Sequence, residues 1–239
     1  MDEVTETRKQ FHEELDDLRT AIIHIAALVT DGIPRVTAVL LSDDLDEAQA
    51  LIEHDDEIDY LSLANEEKSI RLMALQQPMA SDLRRIVTAL KLNGELERSG
   101  DLVTNIAKAA RRIHGTTMTP RLRGLVEAMS VEAAKLMRLA IDSYAEDDAS
   151  LAAALDDLDD RLDSLNREFV EAILEASSDD ALDLQPAVQL ALVARYYERI
   201  GDHAVNIGNQ VQYMVTGWMP EHTGAARVEA RRAEQRQER

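Results

Sequence analysis

The sequence predicts an all-α protein made of two tandem homologous three-helix bundles. Two observations carry that expectation: apolar residues recur at helical spacing along most of the chain, and the second half repeats the first. Phe11, Leu15, Leu18, Ile22 and Ile25 form one stripe, and Leu83, Ile86, Val87 and Leu90 another. Ala, Leu, Asp, Glu and Arg dominate, and aromatic residues make up only 3% of the chain. Long packed helices suit that bias and a sheet does not.

Breaks in the periodicity divide the chain into six helices, expected at 3–41, 44–75, 78–113, 120–146, 148–176 and 185–215. The first contains Pro34, where it is free to bend. Asp44 followed by Glu47 reads as a capping box. Pro78 and Pro186 each suit the first turn of a helix, where a missing N–H costs nothing. The repeat then sets the organisation: a first unit over 1–115, a second over 120–215, and a tail over 216–239 that carries five arginines and is expected to fray.

Asp43-Asp44 returns as Asp147-Asp148. Asp55, Ile58, Asp59 and Leu61 return at the same offset as Asp159, Leu162, Asp163 and Leu165. Glu97-Arg98-x-Gly100-Asp101-x-x-x-Asn105-Ile106 returns as Glu198-Arg199-x-Gly201-Asp202-x-x-x-Asn206-Ile207. Gln77-Pro78 returns as Gln185-Pro186, seven residues nearer its motif; seven residues is almost two helical turns, so the facing of the motif is kept.

Composition excludes several functions. A formal charge of −20 repels nucleic-acid backbones and anionic lipid heads. With no cysteine there is no disulfide, thiolate site or cysteine nucleophile. The opening Met1-Asp2-Glu3 is acidic where a signal peptide is basic, and the apolar run over 21–29 is short for a membrane span. A cytoplasmic protein without membrane insertion is expected. No phosphate-cradling glycine loop and no Gly-x-Ser-x-Gly elbow occurs, so no enzyme is expected.

The acids carry the chemistry. Placed at about 100° per residue, Glu97 and Asp101 fall near the meridian of Leu83 and Leu90. Glu198 and Asp202 share a meridian with Ala187, Ala191 and Ala194. Asp55 and Asp59 extend the line of Ala48 and Leu51; Asp159 and Asp163 extend that of Ala152 and Leu155. A single i, i+4 acid pair is ordinarily a solvated face, but here four pairs repeat in register where apolar residues should point. Antiparallel neighbours would gather Asp55, Asp59, Glu97 and Asp101 at one site and Asp159, Asp163, Glu198 and Asp202 at another. Their mutual repulsion, with no Lys or Arg expected within a turn on those meridians, is most simply offset by a multivalent cation. Gly100 and Gly201 beside the acids suggest close helix approach or room for an ion, and Asn105 and Asn206 could orient the aspartates. His203 is assigned to a surface or an interface, and Tyr196-Tyr197 to core packing. No Glu-x-x-His occurs, which counts against a carboxylate-bridged metal oxidase. A metal-storage bundle and a metal-free helical scaffold stay open on the same acids.

The duplicated Glu-Arg-x-Gly-Asp-x-x-x-Asn-Ile, with Gln-Pro ahead of each copy, resembles the PhoU family, as does the stretch Gln77-Pro78-x-Ala80-x-Asp82-Leu83-Arg84-x-Ile86. The match spans about 8–215. The resemblance implies metal ions, iron or zinc, at the acid pairs, and a homodimer. It also implies negative regulation of phosphate uptake and phosphate-starvation signalling. The implied partners are the ATPase subunit of the phosphate ABC transporter and a sensor histidine kinase. Ser99 and Leu102 depart from the second copy's Ile200 and His203, which marks the first site as the weaker or differently loaded one.

Overall fold

The structure is a computed structural model, and it describes residues 2–218, with side chains from Arg8 onward. The tail assigned to 216–239 lies outside the described residues beyond Trp218. Six helices follow in order: α1 Asp2–Ser42, α2 Leu45–Gln76, α3 Ser81–Arg112, α4 Pro120–Ala145, α5 Ala149–Ser178 and α6 Leu184–Thr216. The described residues contain no strand.

Three helix starts have a side-chain cap. Asp44 caps α2 by accepting the Glu47 N–H at 3.0 Å. The reciprocal arm of the expected capping box is absent, because the Glu47 carboxylate turns to Arg35 instead, at 2.6 Å. Asp148 caps α5, accepting from Ser150 and Leu151. Thr119 accepts from the Leu122 N–H ahead of α4, with Pro120 at its first position. The doubled aspartates now have a reason. Asp43 and Asp147 sit at φ 60° and 53°, a left-handed conformation that aspartate tolerates, and the next Asp in each pair begins the following helix.

Pro78 is a correction. It lies outside α3, which begins only at Ser81, after left-handed Gln77 and a positive φ at Ala80. Pro186 does lie in the first turn of α6. The seven-residue difference between the copies is therefore absorbed partly in the α2–α3 turn, and not wholly as two extra turns of helix. α1 runs unbroken through Pro34. It is long and apolar enough to cross a membrane by length and composition alone, and half of that window is buried within the protein. Leu18, Ile22, Ile25, Ile33 and Val36 are all essentially inaccessible in the core.

α1, α2 and α3 pack on one another, as do α4, α5 and α6, giving two three-helix bundles. The bundles join where α1 meets α4 and α3 meets α6. Among the described residues α2 and α5 pack only within their own bundle and form the periphery. At the centre of the joint, Tyr197 is fully buried and its hydroxyl lies 2.6 Å from Thr37 Oγ1, which also donates to Ser130 at 2.7 Å. Those bonds tie α1, α4 and α6 and satisfy polar groups that would otherwise be costly inside. At one end Arg19 caps the final carbonyls of α4 at Tyr144 and Ala145, and Arg19 and Arg85 both reach Asp147.

The second bundle is packed more closely than the first. A Cβ on Gly208 would lie 2.8 Å from the Ala152 carbonyl oxygen and 2.6 Å from Leu155, whereas the corresponding residue of the first bundle is Ala107. Gly124 in α4 has nothing within 4 Å of such a Cβ. Gly208→Ala is therefore expected to lower the unfolding free energy by about 1–3 kcal/mol through backbone overpacking. Gly124→Ala is expected to raise it by about 0.5–1 kcal/mol through helix propensity. Denaturant titration of the two variants checks both signs.

Candidate cation sites

The eight acids fall into the two groups that the sequence spacing suggests. Asp55 and Asp59 on α2 face Glu97 and Asp101 on α3, close enough that the charges on Asp101 and Asp59 raise the Asp55 pKa. Burial is the larger cause of that rise, and a Thr104 hydrogen bond and the Lys108 charge act against it. Glu97 is raised by burial first, then by Asp101 and Asp59. In the second bundle Asp159 is pushed from 3.8 up to about 7, first by burial and then by Asp163, Asp202 and Glu198. Asp159 Oδ1 is buried with no hydrogen-bond partner among the described residues.

The acids do not lie on the core meridian, and that expectation is corrected. Asp59, Asp101 and Asp202 are exposed, and the other five are half-buried. The buried face of α3 includes Ile86, Ala89, Leu92, Leu96, Gly100, Val103 and Ile106, while Leu83 remains 39% exposed. α3 packs against three other helices, so its buried arc is wide and the acid meridian falls on its edge. The acids line the two grooves between a peripheral helix and a central one.

Gly100 and Gly201 account for the depth of those grooves. A Cβ on Gly201 would lie 2.3 Å from Asp159 Oδ1, so the missing side chain is what lets that carboxylate rest against the α6 backbone. At Gly100 the equivalent atom would meet Ile58 at 3.2 Å and Asp55 Oδ1 at 3.6 Å. The reading of close helix approach holds at both glycines.

The expected absence of a basic residue near the acids is also corrected. Arg195 forms an ion pair with Glu198, one turn away, and Asp202 and Asp163 contribute to raising its pKa. The corresponding position in the first bundle is Gly94. There the groove stays open as a cavity of about 500 Å³ lined by Asp59, Glu66, Asn93, Gly94 and Glu97 among others. The sites thus differ, but not through Ser99, whose hydroxyl turns inward to the Glu95 carbonyl at 2.8 Å.

His203 is 5% exposed, so the expected surface position is corrected: it is buried where α3 meets α6. Its Nδ1 lies 2.6 Å from Glu95 Oε2, and Asn206 donates to the same oxygen at 3.3 Å. Asn206 therefore holds Glu95 and not an aspartate. Glu95 is lowered in pKa despite its burial, by those two partners and by Arg98. Sequence reasoning passed over Glu95; the signal for it was the only histidine inside a repeated motif. Tyr197 is core, as expected.

A helical bundle protein with a duplicated acidic groove is the class these features define. The PhoU domain family matches the chain over residues 10–110 and 126–211. The chain is 31% identical over 228 residues to the phosphate-specific transport system accessory protein PhoU homolog of Zymomonas mobilis, covering 92% of this chain and 93% of that one. It is 32% identical over 214 residues to PhoU homolog 2 of Mycobacterium tuberculosis, covering 89% and 100%. The crystal structure of PhoU from Pseudomonas aeruginosa superposes with a TM-score of 0.82 at 30% identity, covering 87% of this chain and all of that one. The chain belongs to the PhoU family.

The raised acids set a pH dependence for the cation-free protein. Asp159 binds its proton more tightly folded than unfolded, so the folded state holds more protons between pH 3.8 and about 7. Its contribution to stability is therefore expected to fall as pH rises through that window. Asp55 and Glu97 act in the same direction and Glu95 in the opposite one. Asp159→Asn should flatten the slope. Urea midpoints of both proteins at pH 5 and pH 7.5, after removal of divalent cations, test the sign.

Proposed function

We propose that this chain is a cytoplasmic, non-enzymatic regulator that damps phosphate uptake and phosphate-starvation signalling through protein contacts, with cations held in its two acidic grooves. The observation that carries the cation part is Asp159, half-buried among like charges, with one oxygen left unpartnered. Asp55, Asp59, Glu97 and Asp101 would hold ions in the first groove, and Asp159, Asp163, Glu198 and Asp202 in the second. The donors are all carboxylate oxygens, which fit hard or borderline ions such as iron or zinc. In the described side-chain positions no three acids or histidines converge on one point, so binding would require the carboxylates to rotate inward. A bound cation would supply the positive charge that offsets four crowded carboxylates.

The grooves differ in ways that bear on loading. The first is open at Gly94, and Lys108 acts on its Asp55. In the second, Arg195 already neutralises part of the charge at Glu198. The regulatory part rests on the names of the relatives, which are accessory proteins of a phosphate-specific transport system. We further assign a homodimer, and as partners the transporter's ATPase subunit and a sensor histidine kinase.

Two experiments test this. Elemental analysis after loading should find cations bound to the wild type and a clear loss in Asp101→Ala and Asp202→Ala together; unchanged stoichiometry would refute the cation assignment. Deletion of the gene should leave phosphate-responsive genes expressed in phosphate-rich medium. A variant with Glu97, Asp101, Glu198 and Asp202 changed to Ala should restore repression poorly while keeping wild-type helical circular dichroism.

A further inference from the structure

The chain carries twenty more carboxylates than basic groups, yet several of its described Lys and Arg side chains form no salt bridge. Three occur together on α3. Lys108, Arg111 and Arg112 are exposed and line one cavity of about 360 Å³. They sit at i, i+3 and i+4, which places them on one helix face. None of the three forms a salt bridge among the described residues.

Both guanidinium groups are held by neutral amides instead. Arg111 Nη1 donates to Gln49 Oε1 on α2 at 2.8 Å, and Arg112 Nη1 donates to Gln189 Oε1 on α6 at 3.3 Å. Gln185 Nε2 donates in turn to the Arg112 carbonyl. A glutamine orients an arginine without cancelling its charge, so the site is arranged while its positive charge persists. Glu53 accepts from the Gln49 amide at 2.8 Å. Lys108 also faces Asp55 of the first acidic groove. The second bundle has Asn209, Gln212 and Tyr213 at the matching positions, so this site belongs to the first bundle alone.

We propose that Lys108, Arg111 and Arg112 form an anion-binding site for a small multivalent oxyanion of the phosphate class. Three positive charges, two of them on arginines held by glutamine, match a di- or trianion, and the arginine fork suits a tetrahedral oxyanion. The volume lies at the lower end of the range for small-ligand sites. The surrounding negative field disfavours a long acidic polymer, which would extend beyond the cationic island. Lys108 borders the first acidic groove, and the two arginines lie toward the end of α3.

Titration calorimetry on full-length protein, freed of divalent cations on a chelating resin, tests it with three probes: inorganic phosphate, pyrophosphate and a nucleoside triphosphate. One saturable site per chain is expected. Binding of pyrophosphate and phosphate identifies a free oxyanion, and binding of the triphosphate alone identifies a nucleotide. Arg111→Gln and Arg112→Gln should each weaken binding about tenfold or more, since each removes a charge-assisted bond. Lys108→Gln should weaken it less, and Lys135→Gln, the same charge change on α4, should leave it unaltered. Should a glutamine variant lose its helical circular dichroism, Arg112→Lys keeps the charge but removes the fork, and is expected to weaken binding as well. Absence of saturable binding into the millimolar range, equal binding by wild type and variants, or response only to an acidic peptide would each overturn the proposal.

Discussion

The mutual burial of α3 and α6 is the constraint from which the remaining geometry follows. Each is the third helix of its own bundle and also half of the joint between bundles. Each must therefore present apolar or small residues over a wide arc, and both do so with Ala, Gly, Val and Ile. Charged residues are excluded from the middle of that arc, and some stand at its two edges. One edge faces the peripheral helix and carries Glu97 with Asp101, or Glu198 with Asp202. On the other edge, facing the opposite bundle, lie Glu95 and His203. The acidic grooves and the polar link across the joint are thus two margins of the same pair of helices.

Close packing and electrostatic strain are coupled in the second bundle. Glycine at 201 lets the Asp159 carboxylate rest against α6, and glycine at 208 lets α5 approach further along. Burial is then the largest cause of the raised Asp159 pKa, ahead of any neighbouring charge. In the first bundle Gly100 contacts are looser and Thr104 and Lys108 relieve Asp55. The two grooves share a sequence motif, yet their electrostatics diverge through residues outside it: Gly94 against Arg195, and Ala107 against Gly208.

Much of this is legible in the sequence, because helical periodicity and an internal repeat are both long-range signals carried by many residues. All six helices and both groupings of acids can be read from spacing alone. The misreadings arise where one or two local contacts decide the outcome. Pro78 reads as helical because its repeat partner Pro186 is, while the actual start of α3 depends on the left-handed turn at Gln77 and Ala80. Glu47 reads as the second half of a capping box, but an arginine twelve residues earlier in the chain competes for it. The acid meridian reads as core because a helical wheel gives direction but not the width of the buried arc. The Glu95–His203 contact joins residues 108 apart, and no periodicity encodes it.

That contact also sets the two halves of the chain apart. A lone bundle would leave the outer faces of its first and third helices bare, and here those faces are covered by the matching faces of the other bundle. The two halves thus cover each other's bare faces. In a dimer of identical subunits every residue appears twice, so position 102 and position 203 would be the same amino acid, as would 95 and 196. They are Leu102 and His203, and Glu95 and Tyr196. A single glutamate–histidine pair, with leucine and tyrosine at the mirrored positions, is an asymmetry that one chain with two unlike halves can hold and a symmetric dimer of identical bundles cannot.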